Sequence, residues 1–351
     1  MKATISKLLV LALILSFVLV AAPTAHAAGH ANHCVCGGLG AIGDHTCKTE
    51  ETWTELTEAL CGSFLPSGNY YLADDLTITS AINLMDDATV TICLNGKKLT
   101  NTGENQRVFT LNRKKTLNIC DCQKTGSINN AAPGIIKETG GLIYMASTDG
   151  QIVNLFGGTL NGPTAKAAGG AIRVGNSGTS AGANVTLNMY GGTVQGGKTE
   201  SMGGNISVYG EFNMYGGTVK GGSAVKNGGN IYLSTGAKVT INGGTITGGT
   251  DSHITDVSEL VIGSDEASLV VKGLSAPVHV VNLKEKPVFS VDETKIVKSD
   301  FGTTSTGFPV YLLTPNQPAA TGDTTNLMVL GLGLILGAAG LVFLVPKKRT
   351  V

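Results

Sequence analysis

Charge is scarce in this chain and neither sign is in excess. Its 351 residues include 25 basic and 25 acidic side chains, and charged residues make up only 14% of the total. A protein that binds nucleic acid through a basic surface needs surplus positive charge to neutralise phosphates, so we exclude nucleic acid as a partner. A disordered acidic or basic tail needs a large net charge and low hydrophobicity, and the hydrophobic fraction of 42% argues against that class as well.

Acidic residues and histidine are nearly absent from the middle of the chain. No histidine occurs between positions 46 and 252, and residues 151–250 contain only two acids, Glu200 and Glu211. Hydrolysis of a glycosidic bond needs two carboxylates about 5–9.5 Å apart. The two acids fall in different halves of the repeat described below, so we predict no catalytic residues and no organic cofactor.

The N-terminus is an apolar run with a basic start. Lys2 and Lys7 provide the basic residues, and Ala25-His26-Ala27 supplies a small-x-small cleavage pattern. This pattern predicts a secretory signal peptide over residues 1–27. An uncleaved N-terminal membrane anchor is the alternative.

A second apolar run lies near the C-terminus. Residues 327–345 form a stretch of 19 residues without a charge, which is long enough as a helix to cross the hydrocarbon core of a bilayer. The basic tail, 346–351, follows directly and is expected to stay in the cytoplasm. We therefore expect the chain to be exported to the cell surface and held in the membrane through 327–345.

A Thr-Gly pair precedes this predicted transmembrane helix, in a linker over residues 312–326. It belongs to a motif of five residues, Pro318, Ala319, Ala320, Thr321 and Gly322. A Thr-Gly motif followed by a hydrophobic helix and a basic tail resembles the cell-wall sorting signal of Gram-positive surface proteins, although the usual leading Leu is missing here. The resemblance implies that a sortase cleaves after Thr321 and joins its carbonyl to peptidoglycan. A retained transmembrane helix is the alternative.

Two glycine motifs recur through the middle of the chain. Gly-Gly-Thr starts at positions 157, 191, 216 and 243, and Gly-Gly-Ala-Ile or Gly-Gly-Asn-Ile starts 12 residues later, at 169, 203 and 228. The unit is therefore about 25 residues long. Between the motifs apolar and polar residues alternate, as at Val185, Leu187 and Met189, which is typical of strands. A constant unit length favours a solenoid over a series of hairpins.

Short strands and glycine turns at this spacing resemble the right-handed parallel β-helix of the pectin-lyase-like superfamily. The resemblance implies an all-β solenoid over residues 68–311, in which like residues stack about 4.8 Å apart. Asn154, Asn188 and Asn213 fall on one outward column, so we expect them to form a polar ladder.

Residues 28–67 are predicted to form a Cys/His-rich N-terminal segment with a short cap. Trp53, Leu56 and Leu60 are spaced as on one face of an amphipathic helix over Glu51–Leu60, which would cover the first β edge. An irregular first strand that contains Trp53 is the alternative.

The cysteines suggest either a metal site or disulfides. There are seven, at positions 34, 36, 47, 61, 93, 120 and 122. Four candidate ligands for a tetrahedral zinc ion are Cys34, Cys36, His45 and Cys47, with His30 and His33 nearby. An exported chain can instead oxidise its thiols to disulfides, and unmodified thiols are the third alternative. Adjacent strands are expected to bring Cys93 near Cys120 or Cys122.

The predicted function is that of a cell-surface β-helix protein, an adhesin or a structural envelope component that binds glycans or the surfaces of host or neighbouring cells. Gly169-Gly-Ala-Ile and its two relatives resemble the repeats of bacterial β-helix adhesins, whose companion Phe-x-x-Asn motif occurs once, at Phe109 to Asn112. The alternative is a carbohydrate-active enzyme, a polysaccharide lyase or hydrolase on the same fold. An acidic cluster with a basic neighbour on one solvent face would favour the enzyme, and a face of Thr, Asn and Gly would favour binding.

Overall fold

The structure of the protein is a computed structural model, and it describes residues 30, 33–37, 52–137, 139–145, 150–176, 185–252 and 258–316. The chain divides into two compact units, 1–315 and 316–351. All the elements described below belong to the first unit. That unit is all-β in its described ranges, apart from one helical turn, α1 (Glu58–Cys61).

The strands of the described ranges form four sheets. Sheet 1 contains β1 (Thr54–Glu55), β3 (Gly68–Tyr71), β6 (Thr89–Cys93), β9 (Lys115–Cys120), β12 (Gln151–Leu155), β16 (Thr186–Met189), β20 (Glu211–Met214), β24 (Lys238–Ile241), β28 (Ser268–Val271) and β30 (Val288–Val291). Sheet 2 contains β4 (Leu76–Ile78), β7 (Lys98–Asn101), β10 (Ser127–Asn130), β13 (Thr159–Asn161), β17 (Thr193–Gln195), β21 (Thr218–Lys220) and β25 (Thr245–Thr247). Sheet 3 contains β2 (Phe64–Leu65), β5 (Ile82–Leu84), β8 (Phe109–Leu111), β11 (Ile143–Met145), β15 (Ile172–Val174), β19 (Ile206–Val208), β23 (Ile231–Leu233), β27 (Leu260–Ile262), β29 (Val278–Asn282), β31 (Ile296–Thr303) and β32 (Pro309–Pro315). Sheet 4 contains β14 (Thr164–Ala165), β18 (Lys198–Thr199), β22 (Ser223–Ala224) and β26 (Thr250–Asp251).

The chain visits these sheets in a fixed order. From β12 to β27 it passes repeatedly through sheet 1, sheet 2, sheet 4 and sheet 3, with the first return to sheet 1 at β16, and from β28 it visits only sheets 1 and 3. Each strand pairs in parallel with its counterpart one circuit later, so that Asn188 lies opposite Asn213. One circuit therefore corresponds to the 25-residue repeat of the sequence. Parallel strands in stacked sheets with this order fit a parallel β-helix.

Alternating apolar residues form the interior of the coils. In sheet 1, Leu187 lies opposite Phe212, and Met189 lies opposite Met214. All four side chains are buried, whereas Asn188 between them is half-buried on the other face. Complete burial of an aliphatic side chain contributes about 1.5–3 kcal/mol. A period-two pattern repeated every coil thus produces stacked ladders of apolar residues inside and polar residues outside.

The N-terminal cap differs from the predicted helix over Glu51–Leu60. The chain forms β1 at Thr54–Glu55, which pairs in parallel with β3, and only then the helical turn α1. Trp53 therefore precedes the first strand of sheet 1. A helix this short is marginal by itself, whereas β1 gains backbone partners along the edge of an existing sheet.

The C-terminal end of the interval assigned to the solenoid also differs in strand direction. Strand β32 pairs antiparallel with β29, and β31 pairs antiparallel with β32. The hairpin they form extends sheet 3 past its last parallel strand. Val281 of β29 lies opposite Val310 of β32, and both side chains are buried. This pair therefore adds hydrophobic burial to the hydrogen bonds between the hairpin and β29.

Candidate functional site

A column of side chains at the ends of the sheet 1 strands lies apart from the interior core. It consists of Tyr71, Cys93, Cys120, Phe156, Tyr190 and Tyr215. The rings of Phe156 and Tyr190 are stacked with centroids 4.9 Å apart, and those of Tyr190 and Tyr215 are 5.0 Å apart. Residues 33–37 pack over this column, and Cys36 is only 1% exposed there. We call this assembly the outer cluster.

Four potential metal ligands converge at one end of the outer cluster. The Sγ atoms of Cys93 and Cys122 are 3.5 Å apart. The Nε2 atom of His30 is 3.6 Å from Sγ of Cys122 and 3.2 Å from Nε2 of His33. The ligand atoms of all four residues lie within 4.8 Å of one another. In the described part of the chain, no other group of three or more His, Cys, Asp or Glu side chains is close enough to share an ion.

The two histidines are held in place by their neighbours. Nδ1 of His33 is 2.6 Å from the carbonyl oxygen of Cys34 and donates to it, so in the neutral ring Nε2 is the atom that carries the lone pair. Nε1 of Trp53 donates to the carbonyl oxygen of His33 at 3.1 Å. The ring of His30 stacks on Tyr71 with centroids 4.6 Å apart. Both rings are therefore fixed with Nε2 directed toward the two sulfurs.

The electrostatics of the cluster favour one negative charge on Cys93. A hydrogen bond from the Cys120 thiol, helped by one from His33, lowers the pKa of Cys93 despite its burial. Burial raises the pKa of Cys120 well above its usual value, and burial together with the nearby Cys93 charge raises the pKa of Cys122 to about 12. Burial lowers the pKa of His33 and is the largest single effect, but the hydrogen bonds to Cys93 and Cys34 and the charges of Cys93 and Cys36 together outweigh it, so the pKa is raised. The site thus favours positive charge next to Cys93.

The predicted metal ligands are only partly within the described residues. His45 and Cys47 lie outside them. Cys34 contributes its carbonyl oxygen to His33, and Cys36 packs in the outer cluster beside Cys93. The set of Cys34, Cys36, His45 and Cys47 therefore stays a prediction, and the donors that converge among the described residues are His30, His33, Cys93 and Cys122.

The predicted polar ladder residues are joined by hydrogen bonds. Nδ2 of Asn188 donates to Oδ1 of Asn154 at 2.9 Å, and Nδ2 of Asn213 donates to Oδ1 of Asn188 at 3.1 Å. Asn154 continues the series by donating to Asn118 at 2.8 Å. The ladder runs along the outer face of sheet 1 and satisfies each amide through its neighbour in the adjacent coil.

A second amide series runs along sheet 2 and was missed by the sequence analysis. Nδ2 of Asn161 donates to Oδ1 of Asn129 at 2.7 Å, and Nε2 of Gln195 donates to Oδ1 of Asn161 at 2.8 Å. The signal was available in the sequence, because these residues follow the apolar positions Ile128, Leu160 and Val194 of three successive coils. The mixture of Asn and Gln, and the 34-residue coil between them, hid the repetition.

This second series borders a shallow groove of about 440 Å³, which we call the amide groove. Its walls and floor are Asn161, Gly162, Gln195, Gly196, Lys220, Gly221, Thr247 and Gly248. A Cβ at Gly196 or Gly221 would meet no atom within 4 Å, so the space above them is open. Lys220 is the sole ionisable side chain among the groove's lining residues. The groove offers neutral donors and acceptors at intervals of one coil.

The remaining predicted sites concern the chain ends and the acids. The sorting motif at 318–322 and the predicted transmembrane helix at 327–345 lie outside the described residues. Among the residues that are described, no helix is long and apolar enough to span a membrane. Glu211 is in sheet 1, where it accepts from Asn213, and Glu200 directly follows β18 of sheet 4. The two acids therefore lie on different sides of the coil, one in sheet 1 and one just after a strand of sheet 4.

Comparisons of the chain with protein-family models, with curated proteins and with solved structures found no match.

Proposed function

We propose that this protein is an exported, surface-held β-helix that binds glycans without catalysis, as an adhesin or a structural component of the cell envelope. In this proposal the solenoid is right-handed and pectin-lyase-like. The signal peptide 1–27 directs export from a Gram-positive cell. The sorting motif 318–322 and the helix 327–345 then hold the protein at the wall or membrane, with the tail 346–351 inside.

The amide groove is the observation that supports glycan binding. Asn161, Gln195 and Thr247 carry side chains that both donate and accept hydrogen bonds, which suits the hydroxyl groups of sugars. The groups recur from coil to coil along the groove, as hydroxyl groups recur along a polysaccharide. Because the floor is glycine, a sugar ring can approach the backbone closely.

The same groove argues for binding over catalysis. None of its lining residues is a carboxylate or a histidine, whereas glycoside hydrolysis needs a pair of carboxylates. Lys220 provides one positive charge, which suits a weakly acidic glycan as well as a neutral one. The chemistry of the groove therefore supports recognition of an intact chain.

A glycan array probed with the purified full-length protein tests the proposal. We expect binding to a defined set of polysaccharides, and we expect Asn161→Leu to weaken it by about tenfold or more, since the half-buried amide of Asn161 and its contact with the ligand are both lost. Asn188→Leu is the matched control, because Asn188 is also a half-buried member of an amide series but lies on sheet 1. The control should bind like the wild type.

Two results would contradict the proposal. One is the absence of binding to any glycan on the array and to isolated cell-wall polysaccharide. The other is an equal loss of binding in both variants, which would assign the effect to the stability of the coils. Cleavage of a bound polysaccharide would favour the enzyme alternative instead.

A further inference from the structure

We propose that His30, His33, Cys93 and Cys122 bind one structural zinc ion, which fastens the N-terminal segment to the β-helix. This inference is independent of glycan binding. It replaces the predicted ligand set with four residues from three separate parts of the chain.

The distances among the donors match those of a tetrahedral zinc site. Zn–S bonds are about 2.3 Å and Zn–N bonds about 2.0–2.1 Å, so at tetrahedral angles two sulfurs lie about 3.8 Å apart, a sulfur and a nitrogen about 3.5 Å, and two nitrogens about 3.4 Å. The corresponding distances are 3.5 Å for the sulfurs of Cys93 and Cys122, 3.6 Å from Cys122 to His30, and 3.2 Å between the histidine nitrogens. These three of the six pairs agree with the ideal values to within a few tenths of an ångström, and the other three pairs lie within 4.8 Å.

The donor set selects the class of metal. Two thiolates and two imidazoles suit zinc and disfavour magnesium and calcium, which take oxygen ligands. With four protein ligands a tetrahedral ion has no open position for water or substrate, which is the arrangement of structural sites. The ion therefore has a role in holding the fold together, with no role in chemistry.

The surroundings of the donors support the same assignment. A metal-bound histidine commonly donates its other ring N–H to a carbonyl oxygen, as Nδ1 of His33 does to Cys34. Only His33 has this arrangement, since Nδ1 of His30 is buried without a hydrogen-bond partner in the described part of the chain. Two imidazole nitrogens facing each other at 3.2 Å are well explained if both direct lone pairs at a shared cation.

A disulfide is the competing fate of the two sulfurs, since exported proteins often oxidise their thiols. No disulfide joins Cys93 and Cys122, whose sulfurs are 3.5 Å apart, much longer than the S–S bond of about 2.05 Å. A disulfide between them would also leave the facing Nε2 atoms of His30 and His33 without a cation to coordinate. The arrangement of all four side chains is therefore better accounted for by the ion.

The site connects elements that are distant in sequence. His30 and His33 belong to the N-terminal segment, Cys93 ends β6, and Cys122 follows β9 one coil later. Zinc would hold the N-terminal segment across two adjacent coils, where Cys36 and Trp53 pack beside it. We expect metal removal to expose this segment while most of the parallel sheets stay intact.

Native mass spectrometry of the purified full-length protein tests the proposal. The wild type should carry one zinc ion in place of two protons, and EDTA should remove it. His33→Ala and Cys122→Ser should each lower zinc occupancy by more than about tenfold. The matched controls are His279→Ala and Cys61→Ser, which change the same residue types outside the ligand group and should retain one zinc ion.

A second measurement keeps the test decisive if either ligand variant fails to fold. Cobalt(II) loaded into the wild-type protein should give the visible ligand-field bands of a tetrahedral ion and a thiolate-to-metal charge-transfer band in the near ultraviolet. A Cys93–Cys122 disulfide, free thiols without zinc, equal zinc loss in the controls, or cobalt spectra without thiolate charge transfer would each overturn the proposal.

Discussion

Nδ2 of Asn205 donates a hydrogen bond to Oδ1 of Asn230, one coil further along the chain, at 2.8 Å, and both side chains are completely buried. Oδ1 of Asn230 also accepts from the backbone N–H of Gly222, and its Nδ2 donates to the carbonyl oxygen of Thr247. This explains the Asn of the Gly-Gly-Asn-Ile motif. It satisfies backbone groups of the glycine turn that would otherwise be buried without partners.

We therefore predict that Asn230→Ala lowers the free energy of unfolding by about 3 kcal/mol or more, since each unsatisfied buried group costs about 1–3 kcal/mol. Asn213→Ala, in the half-buried ladder of sheet 1, should lower it by no more than about 1 kcal/mol. Urea unfolding of the purified variants measures both values. Equal effects at the two positions would contradict the distinction between them.

The close stacking of the coils predicts a difference between two glycines. Gly217 has a φ of +83° and a Cβ there would lie 2.7 Å from the carbonyl oxygen of Gly192, whereas Gly221 has a φ of +61° with no atom within 4 Å. Gly221→Ala should cost about 1–2 kcal/mol from its φ alone. Gly217→Ala should cost clearly more, because the neighbouring coil must also move. Thermal unfolding of both variants checks this, and a Gly217→Ala protein as stable as Gly221→Ala would refute it.

An ion pair at the start of the solenoid predicts a dependence of stability on pH. Hydrogen bonds from Arg113 and Lys115 lower the pKa of Asp86, and Lys115 is itself buried. A carboxyl whose pKa is lowered by folding stabilises the protein above its unfolded pKa of about 3.9 and loses that contribution as pH falls through the folded value.

Asp86→Asn should therefore be less stable than the wild type at neutral pH and should approach it as the medium is acidified below about pH 4. Asp87→Asn is the matched control, because Asp87 adjoins Asp86 and has a φ of +58° that Asn also adopts readily. Melting temperatures measured across this pH range test the pair. If the difference in melting temperature between Asp86→Asn and the wild type stays constant across this pH range, the loss of stability is unrelated to the ionisation of Asp86.

The proposed anchor predicts which treatment releases the protein from the cell surface. If a sortase acts at Thr321, cell-wall digestion should release the mature protein and detergent should not. Thr321→Ala should then be extracted by detergent, while Thr324→Ala, a threonine just beyond the motif, should remain wall-linked. Release of the wild type by detergent alone would indicate a permanent membrane helix at 327–345.

Much of the fold follows from local pattern in the sequence. Alternation at Leu187 and Met189 and the regular Gly-Gly motifs fix which residues face inward and where each coil turns, so the parallel register could be derived from spacing. The Asn188–Asn213 contact follows from that register, because both residues occupy the same place in a 25-residue repeat. In these coils, contacts between residues distant in sequence can be predicted because they recur at a fixed spacing.

Other features depend on contacts that no repeat encodes. The approach of His30 and His33 to Cys93 depends on how a non-repeating segment packs across the coils, and neighbouring cysteines at 34 and 36 drew attention to a different ligand set. The short β1 at Thr54–Glu55 owes its form to the edge of β3, although its sequence has helical spacing. Tertiary partners decide the structure at both positions.

X-ray absorption at the zinc edge of the purified full-length protein tests most directly the claim that a metal fastens the N-terminal segment to the β-helix. We predict one shell of two sulfurs at about 2.3 Å and one of two nitrogens at about 2.0–2.1 Å. His33→Ala should remove one of the nitrogens or the metal itself, and His279→Ala should leave the spectrum unchanged. A shell of oxygen and nitrogen alone, three or four sulfurs, or a protein without zinc would contradict the account.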